Sequence, residues 1–239
     1  LMVDKYISAH QPAFMPWLGY IHRIAISDIF VLLDNVQFEK NSFINRNIIE
    51  NKSVNSVQWI TTPLILKGHL TNKIKDININ NNVNWKRKHI ATLSQEYKNL
   101  PFFEERIEEL KKIYDKDYIY FSDFNMALLS YFLDLFSIET PIFEQSKLQL
   151  NEKGNDLIIS ICTRFEIKNF IFGIEGKNYL DKDLFIKKKC DPYEHQYLCK
   201  YSQNKTEQAT NLSCLDLIFR YNKEKLKNIL FIENESNLN

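Results

Sequence analysis

Two histidines carry the general-base chemistry open to this sequence. His10 follows a short β-prone run and precedes Gln11-Pro12, so it stands where a strand gives way to a loop. His195 lies in the aromatic stretch YEHQY. A neutral imidazole titrates near working pH, so either ring can take a proton from an attacking group. Groups suited to an anion follow in FEKNSFINRN: Lys40 as a point charge, Arg46 as a planar fork for pyrophosphate or carboxylate, and Asn45 beside it. Gln11, Asp34, Asn35 and Gln37 add hydrogen-bonding groups to the same short region, and Asp34 suits a ribose or sugar hydroxyl. Plainer roles stand beside these: a histidine satisfying loop carbonyls, a solvated Lys or Arg, an Asp in a turn. His22 reads as structural or exposed on a helix, His69 as exposed in a turn, and His89 is left open.

Two further stretches add candidates. Trp17, Leu18, Gly19 and Tyr20 open a helix after a strand and loop, where free N–H groups and the helix dipole favour an anion. Gly173, Gly176, Asn178 and Tyr179 form a strand-to-loop glycine site with a polar rim. Ser213 and Asp216 read as a structural capping pair. The sequence has no G-x-S-x-G elbow and no Cys–His pairing that stands out as a nucleophile. Its four cysteines lack C-x-x-C spacing, so no metal is expected and the thiols read as reduced.

The elements that must position these residues follow from periodicity. Residues 7–10 and the continuous apolar run at 29–33 read as strands of a parallel sheet. Between them Pro12 and Pro16 exclude regular structure, and 17–26 shows a helical apolar stripe. This is a βαβ unit, whose ligands gather at the carboxyl ends of the strands. Residues 55–66 hold two β-prone runs broken at Pro63, Lys67-Gly68 reads as a turn, and 73–79 alternates like a half-buried strand, together predicting a hairpin or antiparallel appendage. Residues 85–97, 102–114 and 124–136 are helical, with Pro101 near the start of the second and Ser122 as a cap for the third. The last third returns to α/β character, with a helix at 155–165, strands at 169–173 and 191–197, a helical turn or two at 180–187, a closing helix at 212–221 and a frayed tail from Ile232. The predicted fold is therefore α/β, a Rossmann-like, mostly parallel sheet with a helical subdomain inserted in the middle third. It forms one domain, with parts at 1–80, 81–150 and 151–239.

Composition narrows the partners. The 44% hydrophobic content supplies a sizeable core, and a net charge of +1 gives no general attraction to nucleic acid or an anionic membrane. No apolar window approaches the roughly 20 residues of a bilayer span, and the N-terminus does not read as a signal peptide. A cytoplasmic location is the expectation.

The stretch QPAFMPWLGYIHRIAISDIFVLLDNVQFEKNSFINRNII resembles the opening signature of the WbqC-like family. FGIEGKNYLD (residues 172–181) and LSCLDLIF (residues 212–219) resemble its two C-terminal signatures, in the same order and spacing. After the last of these, Arg220-Tyr221-Asn222 replaces the family's usual Asn and Gly. The family is associated with bacterial surface-polysaccharide (O-antigen) gene clusters, which implies work on a sugar building block. The expected activity is that of an enzyme acting on a nucleotide-linked amino sugar, an N-acyl- or aminoacyltransferase. The cofactor is open, with acyl-CoA or another activated acyl donor as the candidate, and self-association is open too. Two alternatives stand: a nucleotidyl-transferring or adenylate-forming enzyme of the same pathway, and a non-catalytic partner that binds the nucleotide sugar. PAFMPWLGY echoes the H-x-G-H loop of adenylyl-transferring Rossmann proteins, but Trp17 and Tyr20 occupy the places of its histidines.

Overall fold

The computed structural model describes residues 4–66, 72–198, 212–232 and 235–238. Its first unit is β1 (Tyr6–His10), α1 (Leu18–Ala25) and β2 (Ile29–Leu32), with β1 and β2 parallel in the register Ile7–Ile29 to His10–Leu32. Phe30, Val31 and Leu32 are all buried, as a run of apolar residues must be when both faces of a sheet are covered. A hairpin, β3 (Arg46–Asn51) and β4 (Ser56–Thr61), stands apart from this sheet. Then come α2 (Trp85–Tyr97), α3 (Phe103–Tyr114), α4 (Phe121–Leu135) and β5 (Ile142–Glu144). The C-terminal third supplies α5 (Gly154–Phe165), β6 (Asn169–Gly173), α6 (Lys182–Lys187), β7 (Asp191–Leu198), α7 (Leu215–Arg220), α8 (Lys223–Phe231) and β8 (Glu235–Leu238).

Six strands form one sheet in the order β5-β2-β1-β6-β7-β8, parallel except for β8. This is the Rossmann-like, mostly parallel α/β sheet expected from the sequence. The chain moves outward from β1 to β2 and β5, then returns to the other side of β1 with β6. Strand order therefore reverses between β1 and β6, the switch point where an open sheet leaves a crevice.

Alternation along the strands divides the interior. Ile7, Ala9, Val31, Phe170 and Phe172 pack with α5 and α6 on one face. The other face packs against α1, the three middle helices, α7 and α8 in a single apolar cluster that includes Ile21, Phe30, Leu32, Phe124, Phe132, Phe219 and Leu230. The middle helices thus share the core of the sheet.

Several local expectations change. Residues 73–79 do not form a strand: Ile74–Asp76 is a 3-10 turn, with isolated bridges at Asn78 and Ile79. Ile74, Ile77 and Ile79 are all buried, so their spacing serves a turn as well as it would a strand. The hairpin partner of β4 is β3 instead, and Arg46, expected in a loop, opens that strand. Ser122 lies inside α4, whose N-cap is Tyr120. The closing helix is shorter than 212–221 and α8 follows it; the tail expected to fray contributes β8. The Lys67-Gly68 turn, His69 and Cys199 lie outside the described residues. Cys162, Cys190 and Cys214 are buried free thiols.

Candidate active site

The site is built on one row of the sheet. Ser8 pairs with Ile171, so two residues further along His10 stands level with Gly173, which is in turn the register partner of His195. His10, Gly173 and His195 therefore lie abreast on three adjacent strands, the first two at the carboxyl ends of β1 and β6 and the third within β7. Because Ile7, Ala9, Phe170 and Phe172 face α5 and α6, these three face α1.

Helix α1 lies over that row and is buried nearly all round: Leu18, Tyr20, Ile21, His22, Arg23 and Ile24 are all inside. Such a helix has no solvent face on which to carry a charge. Arg23 is only 5% exposed, and an added Cβ on Gly173 would stand 2.5 Å from its Nη1. Gly173 has an ordinary extended backbone (φ −81°), so the glycine serves space and not conformation. Among the described residues Arg23 has no hydrogen-bonding or ion-pairing partner, and its buried Nε is unsatisfied. A guanidinium taken out of water without a counter-ion costs several kcal/mol. Burial accordingly depresses its pKa, against the opposing pull of the Tyr20 and Tyr179 phenols.

His10 lies to one side of Arg23. Its ring is packed edge-on to Tyr20 at 5.2 Å and to Trp17 at 6.2 Å between centroids. Nδ1 is 2.8 Å from the Gln11 carbonyl, which also accepts from Tyr20 Oη at 3.3 Å. A carbonyl can only accept, so Nδ1 carries the proton and Nε2 holds the lone pair. Nε2 has no hydrogen-bond partner among the described residues. Burial and the Arg23 charge hold His10 neutral, with a pKa of about 3.

On the other side, His195 Nε2 lies 2.9 Å from His22 Nδ1, and the two rings are stacked with planes 11° apart. Burial lowers His22 to about 4; burial, His22 and Arg23 lower His195 to about 3. Tyr197 flanks the pair, its ring 4.6 Å from that of His22.

The loop that carries Gln11 to Trp17 is fixed by distant parts of the chain. Asn47 on β3, fully buried, donates to the Phe14 and Met15 carbonyls at 3.1 and 2.8 Å, and its Oδ1 accepts from Ile48 N at 2.7 Å. These bonds hold Met15 in a left-handed backbone (φ 43°). Cys214 N donates to the Pro16 carbonyl, and Trp17 bridges to Ser213. The opening stretch and the segment before α7 thus meet at one wall of the crevice.

The sequence profile of the WbqC-like protein family matches residues 11–228, which includes every part of this arrangement except His10. The chain belongs to the WbqC-like family. The uncharacterized protein Rv1507c of Mycobacterium tuberculosis is 26% identical over 223 residues, spanning 92% of this chain and 95% of that protein. No solved structure matches.

In this WbqC-like protein the residues singled out from the sequence fall into three groups. His10, Gln11, Trp17, Tyr20, Gly173, Tyr179 and His195 line or adjoin the crevice; Tyr179 is 70% exposed at its mouth. Asp34, Asn45 and Arg46 are committed to the scaffold. Asp34 accepts from Ser146 N at 2.8 Å and Ser146 Oγ at 2.5 Å. Asn45 donates to the Thr62 carbonyl, and Arg46 donates to the Asn41 carbonyl while its guanidinium covers Trp59 at 4.1 Å. The third group is peripheral: Lys40 and Gln37 are exposed, the latter bridging to Lys73, and Asn178 lies 3.4 Å from Glu175 on the surface. Gly176 makes room for the Phe172 ring, which an added Cβ would meet at 2.5 Å. Ser213 Oγ accepts from Leu215 N, and Asp216 instead takes Arg220 at 2.8 Å. His89 donates from Nε2 to the Thr61 carbonyl and accepts from Tyr114 at Nδ1. It adjoins an open groove of about 380 Å³ between β4 and α2 that offers Trp59, Val83 and Trp85 but no unspent reactive group.

Arg23 and Asn47 carry no reading from the sequence, and His22, read there as structural or exposed, is buried. The signal for Arg23 was present: WLGYIHRIA is apolar round the whole helix, so a charge within it has to be buried. Among the described residues there is no cluster of three or more metal-ligating side chains, and no helix long and apolar enough to cross a membrane.

Proposed function

We propose that this protein is a transferase that modifies a nucleotide-linked amino sugar used in bacterial surface polysaccharide, moving an acyl or aminoacyl group from an activated donor onto the sugar amine. The supporting observation is Arg23: a cation buried at the switch point with no anion of its own, beside a histidine whose tautomer is fixed with its basic nitrogen unspent. The anion-holding role expected of Lys40 and Arg46 passes to Arg23. The polysaccharide setting follows the family's association.

In this mechanism Arg23 holds a negatively charged part of the nucleotide sugar. The amine nitrogen attacks the acyl carbonyl, and a new C–N bond forms. His10 Nε2 takes the amine proton and returns it to the leaving group, a thiolate where the donor is a thioester, as its bond to the acyl carbon breaks. A ring with a pKa of about 3 is a weak base in the empty site. Charge neutralisation of Arg23 by the substrate removes part of what depresses it, so binding strengthens the base.

A thermal-shift panel of nucleotide sugars with and without an amino group, acyl-CoA compounds, and ATP with Mg²⁺ tests this. Stabilisation by an amino-sugar nucleotide, lost in Arg23→Met, together with thiol release that falls about 100-fold or more in His10→Gln, is the expected result. Stabilisation by ATP and Mg²⁺ alone would replace it with an adenylate-forming enzyme, and a flat panel with a non-catalytic partner protein.

A further inference from the structure

We propose that Arg23 and the His22–His195 pair form one seat for a doubly charged phosphoryl group, and that the pair takes up a single proton as that group binds. The proposal rests on Arg23 being an anion seat, as above, and narrows its ligand from any anion to a dianion.

Gly173 and His195 are register partners, so a guanidinium over the one lies beside the other. The two imidazoles already share one hydrogen across 2.9 Å. One added proton converts this contact to an imidazolium–imidazole hydrogen bond, which is stronger, without moving either ring. A second would set two N–H donors against each other, so the pair's capacity is one. With Arg23 the seat then carries two positive charges, matching a phosphoryl dianion; a carboxylate requires only Arg23.

Among the described residues, the groups facing the pair supply no negative charge. They are Arg23 from α1, Tyr197 from β7 and Phe231 from α8 at 5.8 Å from the His22 ring, while His10, Tyr20 and Tyr179 act on or feel Arg23. Glu194, next to His195 in the strand, alternates to the opposite face and is paired with Lys177 at 2.7 Å. Among the described residues no carboxylate is bonded to either ring. Among the described residues nothing supplies the counter-charge for an added proton, and in this proposal the ligand brings it. Without it, burial holds both rings neutral.

Sulfate is the probe, because it stays dianionic near neutral pH and any proton bound with it is taken up by the protein. Calorimetric titration at pH 7 in buffers of different ionisation heat should show uptake approaching one proton per sulfate bound and none for acetate. Sulfate affinity should fall by up to about tenfold per pH unit. His195→Gln, or His22→Gln should the first fail to fold, should bind sulfate without uptake and with a flat pH profile. Sulfate binding to the unaltered protein without proton uptake overturns the dianion seat and leaves Arg23 as a simple anion site. No sulfate binding, or binding undiminished in Arg23→Met, overturns the anion seat itself and with it the substrate reading above.

Discussion

Asn47 and Arg23 are both buried polar side chains, and they end in opposite circumstances. Asn47 has a partner for each of its three bonds, and His89 and Glu96 beside the hairpin repeat the pattern, while Arg46 Nε and Thr62 Oγ1 there are buried without one among the described residues. His89 spends both ring nitrogens, while Glu96 accepts from Lys52 N and Gln58 Nε2. Across the molecule, Asp34 is satisfied by Ser146 in the same way. In the crevice the accounting fails to close. Among the described residues Arg23 pairs with nothing, His10 Nε2 is unspent, and Ser8 Oγ, two residues before His10 on the same face of β1, is buried without a partner. Buried polar groups are nearly always satisfied in a finished structure. A satisfied set holds the chain in place, and an unsatisfied set at a switch point is what a ligand would complete.

The largest test of this contrast uses acid. His10, His22, His89 and His195 all have folded-state pKa values held below the ordinary histidine value, at about 3, 4, 4 and 3. The unfolded chain therefore binds protons first, and stability present above pH 6.5 drains away as pH falls towards 4. Both rings of the His22–His195 pair are neutral in the empty fold, so all four histidines contribute, and the loss between pH 7 and 5 is about 7 kcal/mol by urea unfolding. Sulfate should restore only the crevice's part. The roughly 2 kcal/mol due to His89 should remain lost. Full rescue, or no rescue, breaks the distinction between the regions.

Next in size, Asn47→Ala leaves the Phe14 and Met15 carbonyls buried and unmet, and should cost about 3 kcal/mol of unfolding free energy. Arg23→Met should do the reverse. Anion affinity falls by about 100-fold, while stability is unchanged or rises by about 1 kcal/mol because an unpaired buried charge is removed. A clear loss of stability there would mean that Arg23 belongs to the scaffold. The smallest effect belongs to Gly173→Ala. Its methyl displaces only the flexible end of Arg23, so folding should change by less than about 1 kcal/mol while anion affinity drops about tenfold.

The sheet was legible because its signals are local and strong. IFVLL and NFIFG are continuous apolar runs, and the prolines around Phe14 left only a loop between β1 and α1. β3 was hidden because RNIIEN begins and ends in polar residues that a loop would also hold. KIKDINI misled because an isoleucine spacing that fits alternation also fits a tight turn with every isoleucine inward. In the site, His10, Gln11, Trp17, Tyr20, Gly173 and His195 could be named from residue type and position. Which cations were spent could not, because Arg46 on Trp59 and Arg23 without a partner differ only in contacts made across the fold.

The row itself sets a gauge. Neighbouring strands stand about 4.8 Å apart, so the backbones that bear His10 and His195 are separated by roughly twice that distance. Gly173, midway between them, leaves the interval to the Arg23 guanidinium. A molecule that engaged both histidines would therefore have to span about 10 Å and pass over Arg23 on the way. The sheet's own spacing is thus the ruler against which any ligand of this row is measured.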